Sequence, residues 1–417
     1  MEPINLLVVG AGSRGSGYAS YAAAHPDEVR VVGVAEPREI YRQRMVEEYD
    51  IAQENAFADW RQAAAVEKFA DAVVVATQDA MHVEPAEAFA AKGYHLLLEK
   101  PMAPDEEGCR RIHRAVKDAG VMLAVCHVVR YTAVTQKIKK LLDQGAIGEI
   151  VSVQRFEPVG YWHQAHSFVR GNWRNETESS AMLLAKSCHD VDWLRYIVGQ
   201  PCKQVSSFGN LKHFRAEEKP VGAAQRCVEC ELESECAYSA RKIYMGRLKE
   251  GQTGWPVDVL APDISEESVL QALVEGPYGR CVYDCDNDVV DHQVVNFLFA
   301  GGATAAFTMT AFAKARGRET RIFGTKGELF SDDEKIEVFD FLTDELCEVE
   351  IDPTDPSILG GHGGGDYGLM QCFVAAVING DPTRILSGPD ETLESHLMVF
   401  AAERARKNGT VETVASA

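Results

Sequence analysis

The stretch that most limits the fold lies at the start of the chain. Residues 4–9, INLLVV, form an apolar run that reads as a buried parallel strand. Gly10-Ala11-Gly12-Ser13-Arg14-Gly15 follows at once, and an alanine-rich segment to about Ala24 reads as a helix. A strand, a glycine turn and a helix in that order allow close backbone approach and aim helix N–H groups at a pyrophosphate. The next strand, residues 29–35, runs into Glu36, 21 residues beyond Gly15. A carboxylate there suits the adenosine ribose hydroxyls and points to NAD. Arg38 leaves NADP open, because a guanidinium there suits a 2′-phosphate.

The alternation continues. Helices are expected over residues 40–49, 84–92 and 105–119, and strands over 57–59, 72–76, 95–98 and 122–126. That order predicts a doubly wound parallel sheet, an NAD(P)-binding domain over residues 1–128. A helix over 132–144 then leads into period-two strands at 149–157, 291–299, 303–312, 321–323, 327–331, 336–341 and 346–351. Helices over 366–379 and 391–408 close the chain. Residues 129–417 are therefore expected to form an α+β domain with a large, mostly antiparallel open sheet. A loop-rich insertion at about 211–279 interrupts it.

Charge removes some partners. A net charge of −21 repels phosphate backbones and anionic lipid, so neither nucleic acid nor membrane is expected. Only Met1 to Pro3 precede the first strand, and no apolar run reaches the roughly 18 residues of a membrane helix. A cytoplasmic protein without a signal peptide is expected. The insertion carries Cys227, Cys230 and Cys236, and Cys281 follows. That spacing suits a structural zinc tying down a segment too polar for its own core, with buried free thiols as the alternative.

Four stretches carry chemistry. YHLLLEKPMA, residues 94–103, reads as a strand stopped by Glu99, Lys100 and Pro101, which puts the lysine at the ligand-binding edge of the sheet. Thr77-Gln78-Asp79 is expected to form the loop at the carboxyl end of the preceding strand. Residues 179–199, SSAMLLAKSCHDVDWLRYIVG, read as one helix with Lys186 and His189 on a shared face. YWHQAHSFVRGNWR, residues 161–174, is dense in aromatics, imidazoles and arginines that suit a sugar. GGHGGGD, residues 360–366, offers His362, with Asp366 as the cap of the following helix.

These residues resemble a known family. GAGSRG, Glu36, EKPMA, residues 130–153 (RYTAVTQKIKKLLDQGAIGEIVSV), SCHDVDWL and FGTKGEL are similar to the glucose–fructose oxidoreductase, inositol dehydrogenase and MocA family. The resemblance implies NAD(P)-dependent oxidation or reduction of a secondary alcohol of a sugar, sugar derivative or glycoside. It implies Lys100 and His189 as catalytic residues, with Lys100 beside the nicotinamide. Cofactor contacts would be Gly10, Gly12, Ser13, Arg14, Gly15, Glu36, Arg38, Thr77, Gln78, His82, Glu99 and Lys100. Substrate contacts would be Arg170, Trp173, Lys186, His189 and His362. The chain departs from the family at Ala185, which stands where relatives have an aspartate four residues before the histidine. A homodimer or homotetramer through the second sheet is implied. Two other readings share the site: glycoside hydrolysis by transient oxidation, elimination, water addition and re-reduction, and a nucleotide-sensing regulator without turnover.

Overall fold

The computed structural model describes residues 2–351 and 362–416, the side chain of His362 excepted. β1 (Ile4–Val9) lies in the middle of the first sheet, which is why nearly all its residues are buried and apolar. It pairs in parallel with β2 (Val29–Ala35) on one side and with β4 (Ala72–Val75) on the other. β3 (Ala56–Phe57), β5 (His95–Leu98) and β6 (Leu123–Val125) complete a parallel sheet in the order β3-β2-β1-β4-β5-β6. The order reverses direction between β1 and β4, so the carboxyl ends of these strands open a crevice there. Gly10 turns out of β1 at φ +90°, and a Cβ on it would stand 2.5 Å from the Ala76 carbonyl oxygen. Only glycine suits that turn.

The second sheet is the expected open, mostly antiparallel one. It contains β7 (Ile150–Pro158), β8 (Cys202–Asn210), β9 (His292–Phe299), β10 (Thr304–Thr310), β11 (Glu319–Gly324), β12 (Gly327–Ser331), β13 (Ile336–Asp340), β14 (Glu345–Val349) and β15 (Val411–Thr413). Their order is β14-β13-β12-β11-β7-β10-β9-β8-β15, and β7–β10 is its parallel pair. Helices Cys188–Val198 and Pro389–Asn408 pack together, the latter also against β8. No helix among the described residues is long and apolar enough to cross a membrane.

Three local differences have physical causes. β8 reads CKQVSSFGN, too polar to signal a strand; its ladder with β9 and β15 makes it one. The single helix expected over 179–199 is broken into Met182–Ala185 and Cys188–Val198, with the turn at Lys186 and Ser187. The insertion does build an apolar core. Phe214, Ile243, Tyr244, Val257, Val269 and Leu273 pack together with Ala165 and Val169. A zinc is therefore not needed to hold it.

One buried ion pair ties this half together. Arg130, fully buried, grips Asp192 at 2.6 and 2.7 Å, and a third guanidinium nitrogen meets Glu391 at 2.6 Å. Ser395 adds a hydroxyl bond to Asp192 at 3.0 Å. Burial opposes ionisation of Asp192, but Arg130 outweighs it and holds the carboxyl below its usual range. Asp192→Asn strands a buried guanidinium and is expected to cost about 3–5 kcal/mol in urea unfolding at neutral pH. Because the folded-state pKa is depressed, the wild-type contribution is full above about pH 4 and is lost as acid drives the pH through the lower folded value. An undiminished unfolding midpoint in Asp192→Asn would contradict this account.

Candidate active site

The glycine turn has the shape a pyrophosphate requires. Helix Ser13–Ala24 begins with no side-chain cap and no acidic residue in its first turn, so its N–H groups and positive dipole end face the crevice. A Cβ on Gly15 would lie 1.9 Å from the Gly10 carbonyl oxygen, so only glycine lets helix and strand approach this closely. A Cβ on Gly12 would meet only the Arg38 guanidinium, at 3.6 Å, which leaves that side open.

Glu36 sits at the end of β2, buried, and accepts the Ala11 N–H at 2.8 Å. Arg38 closes on the same carboxylate at 2.7 and 3.0 Å and stacks over Tyr41 with 3.9 Å to the ring centre. Burial raises the Glu36 pKa, but the Arg38 and Ala11 hydrogen bonds bring it below the ordinary carboxylate value. The carboxylate is thus charged and anchored where ribose hydroxyls would meet it.

At the end of β5, Glu99 organises the lysine that follows. One oxygen accepts Arg14 Nε at 2.6 Å and Tyr18 Oη at 2.7 Å, and the other accepts the Lys100 backbone N–H at 2.8 Å. Burial raises the Glu99 pKa, yet Arg14 and Lys100 outweigh it and keep the group ionised. Glu99 therefore fixes the backbone of Lys100. Arg14 continues to Asp366 at 2.6 Å, joining the first helix to helix Gly365–Asn379. The expected cap role of Asp366 falls to Gly364, and the carboxylate serves this pair instead.

The Lys100 ammonium donates to the Ala185 carbonyl at 2.7 Å. Ala185 ends the turn Met182–Ala185 at the helix break, where its carbonyl is available to Lys100. The position at which the family pattern has an aspartate thus contributes a backbone acceptor. His189 opens the next helix, buried, with its ring 5.6 Å from that of His127. Lys186, in the break, turns to Glu157 at 3.3 Å instead of sharing a helical face with His189. Glu157 and Asp190 also meet Arg318 at 2.9 and 2.7 Å, and Arg155 meets Asp190 at 2.8 Å.

The remaining expected contacts take varied positions. His82 is fully buried between the Pro101 and Thr77 carbonyls at 2.8 and 3.1 Å, a strut between two loops. Thr77 and Gln78 lie at the open end of β4, the hydroxyl of Thr77 donating to the Met81 carbonyl at 3.1 Å. Arg170 is buried and donates to the Arg280 and Tyr238 carbonyls, both at 2.8 Å. It belongs to the insertion core, not to a substrate surface. Trp173 is 37% exposed beside Phe168. The His362 side chain lies outside the described residues.

Two further histidines belong here, one from the imidazole-rich stretch 161–174 and one that no local signal marked. His163 lies within electrostatic reach of Lys186, Lys100 and Arg318, and burial, with those cations adding, pushes it well below the ordinary histidine value. It is a neutral imidazole in the cleft. His396 accepts the Met102 N–H at 3.0 Å and faces the Thr392 carbonyl at 2.8 Å, fixing the loop after Lys100 from the far side of the chain. Its distance in sequence, 294 residues from Met102, hid that role.

Cys227, Cys230, Cys236 and Cys281 do line one cavity, of about 40 Å³, together with Arg170. The Cys227 sulfur lies 3.4 Å from the Arg170 guanidinium and 3.9 Å from the Arg280 carbonyl oxygen. Among the described residues no group of three or more His, Cys, Asp or Glu side chains is arranged to hold a metal. The expected zinc has no support in this geometry.

Comparison with known proteins agrees with the fold and its crevice. Residues 4–127 match the model of an oxidoreductase family with an NAD-binding Rossmann fold, and residues 139–415 match that family's C-terminal alpha/beta domain. YteT of Bacillus subtilis, named as an oxidoreductase, is 24% identical over 348 residues, 77% of this chain and 76% of that protein. The 2,7-anhydro-N-acetylneuraminate hydratase of Escherichia coli is 28% identical over 211 residues, 50% of this chain and 54% of that one. The levoglucosan dehydrogenase of Pseudarthrobacter phenanthrenivorans is 27% identical over 208 residues, 48% of this chain and 52% of that one. The chain thus spans about half the length of these last two. A solved levoglucosan dehydrogenase in complex with NADH and L-sorbose superposes with a TM-score of 0.73 over the whole of both chains, at 19% identity, a likeness that carries the fold alone. With both halves matched, the chain belongs to the glucose–fructose oxidoreductase, inositol dehydrogenase and MocA family of NAD-binding oxidoreductases.

Proposed function

We propose that this enzyme uses NAD to oxidise or reduce a secondary alcohol of a sugar, sugar derivative or glycoside. The observation that carries the reading is the Lys100 ammonium, fixed by Glu99 at the crevice edge and resting on the Ala185 carbonyl at 2.7 Å. Sugar-acting relatives such as levoglucosan dehydrogenase support the substrate class. The nucleotide would be held by the Gly10–Gly15 turn, the helix N-terminus and Glu36, with Thr77 and Gln78 bordering it. A nicotinamide held there would supply the acceptor for a hydride from the carbinol carbon. In the reducing direction the Lys100 ammonium exchanges its bond to the Ala185 carbonyl for the substrate carbonyl oxygen and gives it a proton; oxidation is the reverse, the amine left by that transfer taking the hydroxyl proton back. His189 stands beside that hydroxyl to orient it. Lys186, Trp173 and His163 position the ring. Arg14, His82 and Arg170 serve by holding the frame.

A second reading is net hydrolysis or hydration with the hydride returned. The relative named as a hydratase favours it. A transient ketone acidifies the neighbouring C–H, the leaving group is expelled, water adds, and the carbonyl is reduced again. Incubation with methyl and p-nitrophenyl glycosides separates the readings. Stoichiometric NADH is expected from the first and free p-nitrophenol with catalytic NAD from the second. Lys100→Met should lower kcat by about 10²- to 10⁴-fold in either case while NADH affinity stays within a few-fold. Turnover at the parent rate in that variant would sink the assignment.

We also infer NAD over NADP, because Glu36 is charged and already occupies Arg38. Glu36→Ala should cut the NAD-to-NADP preference in kcat/KM by roughly tenfold or more; an unchanged ratio would remove Glu36 from the cofactor site. A reducing, cytoplasmic setting is supported by the eleven cysteines, all free. Phe208, Val294 and Leu298 stand exposed on the outer face of the second sheet and support self-association there. Phe208→Asp is expected to shift the light-scattering mass to that of a monomer, and a parent already monomeric would refute the interface.

A further inference from the structure

The insertion places a tryptophan at the rim of the same cleft. Trp255 packs edge-on against His163 and His166, with ring centres 4.9 and 5.2 Å away, and tilts against Trp162 at 5.4 Å. Its supports are themselves fixed. His166 meets the Tyr244 hydroxyl at 2.8 Å and stacks on Tyr278 at 4.9 Å, and the Arg247 guanidinium lies 4.0 Å over Trp162. The indole is nevertheless 46% exposed. A rigidly braced aromatic with about half its surface in water is a binding surface held open at a cost in apolar exposure.

Its neighbours say what lies on it. His163 touches Trp255 and is the same imidazole that lies within electrostatic reach of Lys100, Lys186 and Arg318. A ring resting on Trp255 would thus lie against His163, on the side of the cleft whose charges include the lysine, next to the reacting sugar instead of being it. An ammonium such as that of Lys100 suits a hydroxyl, whereas an indole face suits C–H or aromatic surface. We propose that Trp255 is the platform for the group joined to the reacting sugar, an aglycone or second ring, so that the substrate is a glycoside and not a free monosaccharide. This rests on the proposed sugar oxidoreductase reading and names its substrate class.

The test measures calorimetric binding, with NADH present, of matched methyl and p-nitrophenyl glycosides of glucose, galactose, mannose and xylose. In the parent enzyme the aryl member of the bound pair is expected to bind about tenfold tighter than its methyl counterpart. Trp255→Ala should bring that ratio near one, Trp255→Phe should keep most of it, and NADH affinity should be unchanged in both. A ratio that survives Trp255→Ala, or an equal loss for both members, overturns the platform while leaving the oxidoreductase reading intact. A change of oligomeric mass in Trp255→Ala also overturns it, since the indole would then serve a second copy of the chain. Failure of every glycoside to bind in the parent, with NADH bound normally, overturns the sugar reading and the platform together.

Discussion

A single buried carboxylate ties together the crevice end of the first sheet. Glu99 is 6% exposed, and an ion at such depth is stable only if its lone pairs are filled. Arg14, Tyr18 and the Lys100 N–H fill them. Those three partners bring together the cofactor-facing helix, the end of β5 and, through Arg14 and Asp366, helix Gly365–Asn379. The lysine is consequently delivered at a defined height above the crevice. Its other anchor, the Ala185 carbonyl, comes from a helix break and not from a side chain. That arrangement satisfies the ammonium with a neutral carbonyl, a weaker partner than a carboxylate would be.

The second half uses buried charge in the same way. Arg130 with Asp192 and Glu391, and Arg155 and Arg318 with Asp190 and Glu157, pin helices against the sheet beneath the cleft. Lys186 joins the latter group at its exposed end. These pairs are costly to assemble and costlier to break, so they give one geometry instead of many. His127 lies among them fully buried, and burial pushes its pKa down to about 3, with Asp192 opposing. It is neutral packing beside His189.

The insertion changes what the cleft can hold. It carries its own apolar core, which fixes Arg170 and Tyr244 and thereby His166. Trp255 packs against Trp162, His163 and His166 at the edge of that core. Metal is not required for this, and the thiols that suggested one line a small cavity beside a guanidinium.

The order of apolar runs, the glycine turn and Glu36 determined the first sheet by themselves, because those signals are local: periodicity of two or of 3.6, and a turn only glycine suits. The position of Lys100 at the end of β5 was legible for the same reason. Tertiary structure decided what contact order hides. It gave Arg14, His82 and Arg170 structural partners that no local signal marks, since those partners lie far along the chain or on backbone carbonyls. It made a strand of the polar β8 through its ladder, and broke one expected helix at Lys186 and Ser187. It also set His163 within electrostatic reach of Lys100, His396 against the loop after that lysine and Trp255 against His163, from three distant stretches. A side chain's neighbours across space are set by packing of whole elements, and no spacing within one segment carries that information.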